Sequence, residues 1–121
     1  MKWGFLLGMI SVALGAFAAH GLENILTAQG ITSFKTAVYY MMTHALVLLI
    51  VGLVKSFSLR QQKVLFRLFS MGIALFTGSI CLYYLLPLIG IQASWLVALT
   101  PVGGLFFISG WAYAAYAVYK S

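Results

Sequence analysis

Acidic side chains are almost absent from this 121-residue chain, which contains one glutamate, Glu23, and no aspartate. Nucleophilic catalysis needs a nucleophile, a base and an orienting group that converge on one point. Proton-coupled transport needs an acid inside the membrane, yet Glu23 lies at or beyond the end of the first apolar run. The scarcity of carboxylates therefore argues against an enzyme and against a small multidrug-type antiporter.

Charged residues of either sign make up only 7% of the chain, whereas hydrophobic residues make up 64%. An ordinary soluble domain carries about 25% charged residues, and a surface with far fewer would expose large apolar patches and aggregate. The mean hydropathy of +1.07 agrees. The exterior is therefore expected to face lipid, and the chain is predicted to be an integral membrane protein.

Cysteine is limited to Cys81, so no internal disulfide can form. Because Cys81 falls within an apolar run, where a thiolate is strongly disfavoured, it is interpreted as a small buried packing residue.

Long apolar runs are what the sequence has in abundance. A bilayer core about 30 Å thick requires about 20 apolar residues in a helix. Four runs meet that length, and the predicted spans are residues 3–22, 36–54, 68–86 and 95–119. Helices satisfy their own backbone hydrogen bonds in lipid. We therefore expect an all-α membrane protein, with residues 1–121 forming one domain of four transmembrane helices in an antiparallel bundle.

The first run also has features of a secretory signal peptide, because Lys2 precedes it and small residues occupy positions 16–18. It continues to Leu22, however, which is long enough to span the membrane. The uncleaved helix is therefore the preferred interpretation.

Basic residues flank the apolar runs, and they predict the orientation. With the amino terminus inside, six basic residues lie on the inner side and one, Lys35, on the outer side. The six are Lys2, Lys55, Arg60, Lys63, Arg67 and Lys120. This bias places both termini in the cytoplasm of a multi-pass protein of the cell (inner) membrane. It also explains the net charge of +6 without a nucleic-acid partner, which would require basic residues gathered on a water-facing surface.

Small residues form a stripe along the first helix: Gly4, Gly8, Ser11, Gly15 and Ala18. Lipid provides no hydrophobic drive for helix association, so such stripes bring backbones together. Gly8 and Gly15 are expected at a helix–helix contact. In the third run Thr77 and Cys81 share a similar stripe, with Gly78 beside it. Besides the lipid bilayer, the expected partners are a second copy of the chain or another membrane protein.

The fourth run contains Thr100, Pro101, Gly103 and Gly104. Pro101 removes a backbone donor from a helix interior. Two interpretations follow. One is a broken helix that contacts a substrate or ion, as in transporters. The other, which we favour, is a packing kink whose free carbonyl is satisfied by neighbouring helices.

His44 is the deepest ionisable residue, and it shares a helix face with Tyr40, one turn earlier. A neutral ring has a donor and an acceptor to satisfy, so we expect it to face the bundle. Tyr40, Thr77, Ser79 or Thr100 are its expected partners. An alternative is a metal site formed with His20 and Glu23, but three candidates do not establish a convergent geometry. No metal or other cofactor is therefore expected.

Four segments together resemble the YwdK/YgdD-type family of bacterial membrane proteins, also known as domain of unknown function four-two-three. They are residues 15–22, residues 34–46, Thr77-Gly78-Ser79, and residues 100–104 with Gly110-Trp111. The resemblance implies a four-helix inner-membrane protein with no established biochemical activity. Met41 and Glu23 depart from the family pattern, which often has glutamine and lysine there.

From these observations the chain is interpreted as a non-catalytic small inner-membrane protein. It would act in membrane integrity or as an accessory or interaction component. The alternative is a small transporter or channel for protons, metal ions or small cations, with His44 as the candidate relay.

Overall fold

The structure, a computed structural model, describes residues 1–120. In chain order the elements are α1 (Lys2–His20), α2 (Ala28–Leu53), α3 (Leu59–Gly72), a π-helical segment (Ile73–Thr77), α4 (Gly78–Leu85), a first 3-10 turn (Leu86–Ile89), a second 3-10 turn (Ser94–Ala98) and α5 (Leu99–Lys120). Four stretches are long and apolar enough to cross a membrane: Lys2–His20, Ala28–Leu53, Leu59–Ile89 and Ser94–Lys120. Residues 1–120 contain no strand, and the all-α prediction with four apolar helices is confirmed.

The second helix begins earlier than expected, at Ala28 instead of residue 36. Thr27 ends the preceding turn in an extended conformation, and its hydroxyl accepts a hydrogen bond from the Gly30 amide at 3.0 Å. This is an N-cap, because it satisfies one of the free donors of the first turn. Thr32, which lies closer to the apolar run, does not serve as the cap. Thr32 instead donates to the Ala28 carbonyl within the helix.

The third span runs continuously from Leu59 but contains one widened turn, the π-helical segment. A π turn holds more residues than an α turn. Phe69, Ile73 and Thr77 are buried on one side of this span, whereas Ala74, between them, is exposed. After Pro87 the chain reverses at Gly90, whose φ of +82° is a left-handed conformation that glycine adopts readily.

Pro101 does not interrupt a helix interior. The fourth span starts as the second 3-10 turn and becomes α-helical at Leu99, so Pro101 occupies the first turn of α5. Amides of a first turn have no partner within the helix, and proline is well tolerated there. Both interpretations expected a kink at Pro101 inside a helix. The structure instead has the beginning of an α-helix there.

The small-residue stripe of α1 lies against α2. Gly4 is buried, and a Cβ added to it would approach the Leu49 side chain to 2.7 Å. The same atom at Gly15 or Gly8 would find its nearest neighbour at 3.6 Å or 4.0 Å. Both glycines face α2 as expected, but the close approach is at Gly4.

The helices pack in a row, with α1 beside α2, α2 beside the third span, and the third span beside α5. Among the residues described, no Cα of α1 comes within 8 Å of the third span or α5. Cys81 is buried in a core cluster with Leu22 and Phe34 near the end of the molecule where α1 meets α2, which we call the Glu23 end. A second cluster, with Leu65, Phe69 and Phe107, extends toward the opposite end, which carries Lys55 and is called the basic end.

Candidate functional site

The residues selected from the sequence lie in three places. His44 and Tyr40 belong to a group of aromatic rings in the middle of the molecule. Thr77, Ser79 and Thr100 lie closer to the Glu23 end. His20 is exposed at the last residue of α1. The structure therefore separates His20 from the other candidates.

His44 is buried, with 4% of its surface exposed, and both ring nitrogens have partners. Nδ1 lies 2.7 Å from the Tyr40 carbonyl oxygen on the same helix, and the indole N–H of Trp111 on α5 donates to Nε2 at 3.1 Å. A carbonyl only accepts and an indole N–H only donates. The ring proton consequently sits on Nδ1, and the imidazole is neutral.

The expected interhelical hydrogen bond of His44 is therefore present, but its partner is Trp111. None of Thr77, Ser79 and Thr100 bonds to the ring. Tyr40 contributes its backbone carbonyl and not its hydroxyl. A proton added to Nε2 would set two donors against each other, so the Trp111 bond holds only while the ring is neutral.

Aromatic rings surround His44 and fill the space between α2 and α5. We call this group the aromatic layer; it consists of Tyr40, His44, Phe69, Phe76, Phe107 and Trp111. His44 stacks on Phe107 with ring centroids 3.8 Å apart, and Tyr40 stacks on Phe76 at 4.6 Å. In the described chain, α2 and α5 have no Cα atoms within 8 Å of each other. The two helices are therefore linked through these rings.

Two glycines receive rings of the aromatic layer. A Cβ added to Gly72 on α3 would collide with the Phe107 ring, and one added to Gly110 on α5 would approach the Phe69 ring to 2.6 Å. Phe69 precedes Gly72 by three residues, as Phe107 precedes Gly110. Each helix thus presents a phenylalanine one turn from a glycine and inserts its ring opposite the glycine of the other. This reciprocal fit brings α3 and α5 close together.

Three hydroxyl groups join helices toward the Glu23 end. Thr77 donates to the Ala37 carbonyl of α2 at 2.8 Å. Ser79 donates to the Phe76 carbonyl at 3.0 Å, and its oxygen lies 2.6 Å from the Thr100 hydroxyl of α5. Because serine has one proton, which the Phe76 bond uses, Thr100 donates to Ser79. In lipid, such bonds fasten helices together.

Four of the candidate residues, Gly78, Pro101, Gly103 and Gly104, were selected for their effect on the backbone, and their surroundings differ. Gly103 packs directly on the backbone of the π-helical segment, where an added Cβ would meet the Phe76 amide nitrogen. Gly104 and Gly78 have open space at the corresponding position. Pro101 is exposed in the first turn of α5. Of these candidates, only Gly103 is required to be glycine by a close backbone contact.

His20, Glu23 and His44 do not assemble into a metal site. His20 and Glu23 are exposed, whereas His44 is buried with both nitrogens engaged. Nowhere in residues 1–120 do three His, Cys, Asp or Glu side chains gather in a group that could hold a metal ion.

A pocket of about 410 Å³ opens between α2, α4 and the start of α5. Its polar lining comes from Ser33, Tyr83, Tyr84 and Thr100, and Pro101 forms part of its wall. The Tyr84 hydroxyl donates to Ser33 at 3.5 Å, a weak bond across its rim. We call it the Thr100 pocket. It is large enough for a small molecule, and its lining residues lie nearer the Glu23 end than the aromatic layer.

Sequence reasoning gave no role to the residues that complete the site: Phe69, Gly72, Phe76, Phe107, Gly110 and Trp111. Gly110 and Trp111 were noted only as part of the family resemblance. The Phe-x-x-Gly spacing on both helices was the available signal. It is not specific, because Phe5 and Gly8 share it and Phe5 faces outward with 66% of its surface exposed. No pattern within α5 alone identifies Trp111 as the donor to His44.

In a comparison with known proteins, residues 14–104 match the family described as protein of unknown function (DUF423). A UPF0382 membrane protein of Haemophilus influenzae is 42% identical over 120 residues, covering 94% of this chain and 88% of that protein. One of Staphylococcus haemolyticus is 40% identical, covering 89% and 84%. YwdK of Bacillus subtilis, also named a UPF0382 membrane protein, is 37% identical, covering 89% and 85%. No solved structure matches the chain.

Proposed function

The chain belongs to the DUF423 family of membrane proteins of unknown function, and from this premise we propose that it is a non-catalytic component of the bacterial inner membrane. It acts by packing against lipid and against other membrane proteins, with both termini in the cytoplasm. The bias of six basic residues against one supports that orientation.

The state of His44 carries the proposal. An ionisable residue inside a membrane is a functional candidate by default. Here its donor and its acceptor are both used, its ring is stacked on Phe107, and its neutral form is required by Trp111. Such a ring stabilises the bundle by joining α2 to α5. It has no free nitrogen to offer a metal ion or a transported proton.

The outward surface supports the interaction part of the proposal. Phe5, Met9 and Val12 on α1 each expose more than half of their surface. Within the described residues, α2 is the only helix whose Cα atoms come within 8 Å of α1, so much of the circumference of α1 faces outward. Lipid tails or an apolar helix of another protein would cover such a surface.

Flux measurements test the proposal against transport. Purified protein is reconstituted into liposomes that contain a pH dye, a divalent-metal dye or a cationic dye. We expect the same flux as in protein-free liposomes. A protein-dependent flux that His44→Gln abolishes would overturn the proposal and establish a transporter.

A complementation assay tests the role in the membrane barrier. Cells that lack the protein are expected to take up more of a hydrophobic dye, and both wild type and His44→Gln are expected to restore the barrier. Glutamine can still accept from the Trp111 indole. Rescue by wild type alone would contradict a purely structural His44.

Transport is the second candidate, and the Thr100 pocket favours it. The pocket has polar side chains from α2, α4 and α5 and adjoins the Ser79–Thr100 hydrogen bond. On the side of the Thr100 pocket that is nearer the basic end, however, the aromatic layer fills the space between α2 and α5. A transport cycle would have to separate the stacked rings, which is why the non-catalytic proposal is preferred.

A further inference from the structure

A groove runs along the third span at the basic end, with α2 and Met1 opposite its first part and α1 opposite its second part. It consists of two adjoining cavities that share Phe66. The first, about 360 Å³, is lined by Leu48, Phe66, Lys63 and Arg67 among others. The second, about 430 Å³, continues away from the basic end along Trp3, Leu7, Phe66 and Ile73. We call the two together the basic-end groove.

The second cavity of the groove lies between α1 and the third span, which are not in close contact. The stripe of α1 packs on α2, and its Cα atoms stay more than 8 Å from those of the third span throughout the described residues. The side chains along the resulting gap remain partly uncovered, with Trp3 49% and Phe66 36% exposed. Apolar side chains in a lipid-facing gap of this size are suited to an acyl chain.

The mouth of the groove is cationic, and no acidic side chain lies near it in residues 1–120. Lys63 and Arg67 line it, four residues apart on α3, and so share one helix face. The only acidic side chain in the sequence, Glu23, lies at the opposite end of the molecule. Like charges at this spacing repel each other, and an anion bound between them would remove that repulsion.

We propose that the basic-end groove binds one anionic phospholipid of the inner leaflet. Its phosphate pairs with Lys63 and Arg67, and an acyl chain lies along Phe66 toward Ile73 and Ala74. Basic pockets between transmembrane helices on the cytoplasmic side are suited to anionic headgroups. The distance from Arg67 to Ala74 along the helix is about 10 Å, so head and chain contacts belong to a single molecule. The proposal rests on the cytoplasmic orientation proposed above.

Lipid-dependent stability tests the proposal on the full-length protein in detergent. Thermal unfolding is measured with added phosphatidylglycerol and with phosphatidylcholine of the same acyl chains. Phosphatidylglycerol is expected to raise the midpoint by about 4 °C more than phosphatidylcholine does. Equal shifts would show that no headgroup is recognised and would overturn the proposal.

Matched charge variants distinguish a specific lipid-binding site from general electrostatic attraction of anionic lipid. Lys63→Gln with Arg67→Gln is expected to lower the apparent affinity for phosphatidylglycerol roughly thirtyfold. The control is Lys55→Gln with Arg60→Gln, which removes the same charge from exposed residues that do not line the groove. The control should lose little affinity. Equal losses in the two variants would indicate diffuse electrostatics and contradict the site.

A third variant tests the acyl-chain part. Ala74 is exposed and lines the second cavity, so Ala74→Phe should fold while narrowing the groove. It is expected to weaken phosphatidylglycerol binding. Unchanged binding, or an equal shift with inorganic phosphate alone, would identify a simple anion site and overturn the proposal. If a Phe66→Cys variant cross-links into a dimer and added lipid does not prevent this, the occupant of the groove is a second copy of the chain. That outcome would also overturn the proposal.

The flux assay distinguishes failure of this inference from failure of the proposed function. Ion flux from the same liposomes would contradict the non-catalytic role whether or not phosphatidylglycerol binds. Loss of selective lipid binding without flux would contradict the groove site alone.

Discussion

Trp111 and His44 illustrate how polar groups are managed at the scale of single residues. Lipid offers neither a donor nor an acceptor, so each buried polar atom needs a partner inside the protein. His44 uses the carbonyl of its own helix for Nδ1 and the indole of α5 for Nε2. Among residues 1–120, every buried side-chain nitrogen and oxygen has a hydrogen-bond partner. Trp111 shows why this matters, since without His44 the N–H of its half-exposed indole would have no partner.

The first prediction concerns the coupling of His44 with Trp111. His44→Leu removes the acceptor and leaves the indole N–H unpaired, so it should lower the free energy of unfolding by about 1 kcal/mol. His44→Gln should largely preserve it. Trp111→Phe, with His44→Leu in a double-mutant cycle, should give a coupling of about 0.6 kcal/mol. The measurement is reversible unfolding by SDS titration in mixed micelles.

The control for this cycle is Trp95→Phe, which alters an exposed tryptophan in the 3-10 turn before α5. It should show no coupling to His44→Leu. Additive losses for His44 and Trp111 would mean that their hydrogen bond contributes nothing to stability.

Helix crossings depend on where glycine permits a backbone approach. Gly103 lies against the backbone of the π-helical segment, and Gly72 and Gly110 receive phenylalanine rings. Gly104, Gly78 and Gly8 have no close neighbour. Glycine is a poor helix former, costing about 1 kcal/mol relative to alanine. Its presence at the first three positions is explained by packing, whereas nothing in the structure explains it at Gly104 or Gly78.

The second prediction compares two adjacent glycines of α5. Gly103→Ala places a methyl group against the Phe76 amide, which cannot rotate away as a side chain could. α5 and the third span must then separate, at a cost of about 1–3 kcal/mol. Gly104→Ala adds its methyl group in open space and should be neutral or stabilising, by up to about 1 kcal/mol. Unfolding in mixed micelles gives both values, and similar losses at the two positions would disprove the crossing at Gly103.

The third prediction concerns the attachment of α1. Gly4→Leu inserts a side chain where Leu49 and the Ala45 carbonyl already lie at contact distance, so it should lower the thermal midpoint in detergent by about 4 °C or more. Gly8→Leu, at the looser part of the same stripe, should lower it less. A larger loss at Gly8 would place the tight contact in the middle of α1 and not at its beginning.

The whole molecule has a strongly polarised charge distribution. The loop between α2 and α3 carries Lys55, and the first turns of α3 carry Arg60, Lys63 and Arg67. At the other end, Lys35 lies in the early turns of α2 and Glu23 in the preceding turn. Charge of this kind sets the orientation of a helical protein during insertion. In the orientation proposed above, the mouth of the basic-end groove would lie in the cytoplasmic leaflet, which carries anionic lipid.

The fourth prediction is the orientation itself. A reporter that is active only outside the cytoplasm should work when inserted after Asn24 and fail when fused to the carboxyl terminus. A fluorescent protein that folds only in the cytoplasm should give the opposite result. A third fusion after Lys55 controls for expression and should behave like the carboxyl-terminal one. Activity of the external reporter at the carboxyl terminus would contradict the six-to-one charge argument.

Features that depend on composition, or on periodicity within a single helix, could be predicted from the sequence. Apolar runs set four helical spans because lipid leaves the backbone no other partner than itself. The stripe of α1 could be assigned because residues four apart share a face in any helix. The boundary of α2 was placed too late, because apolar length does not reveal that Thr27 caps a helix which extends beyond the apolar run.

Tertiary structure alone decided which residues on different helices meet. The rotation and offset of α5 bring Trp111, and not Thr100, to His44. The π-helical segment changes the helical register of the third span, and no residue pattern in the sequence predicted it. Contacts of this kind depend on the relative positions of whole helices, which are set by the sum of many small packing terms. The pairing of Gly72 with Phe107 and of Gly110 with Phe69 became visible only when both helices were in place.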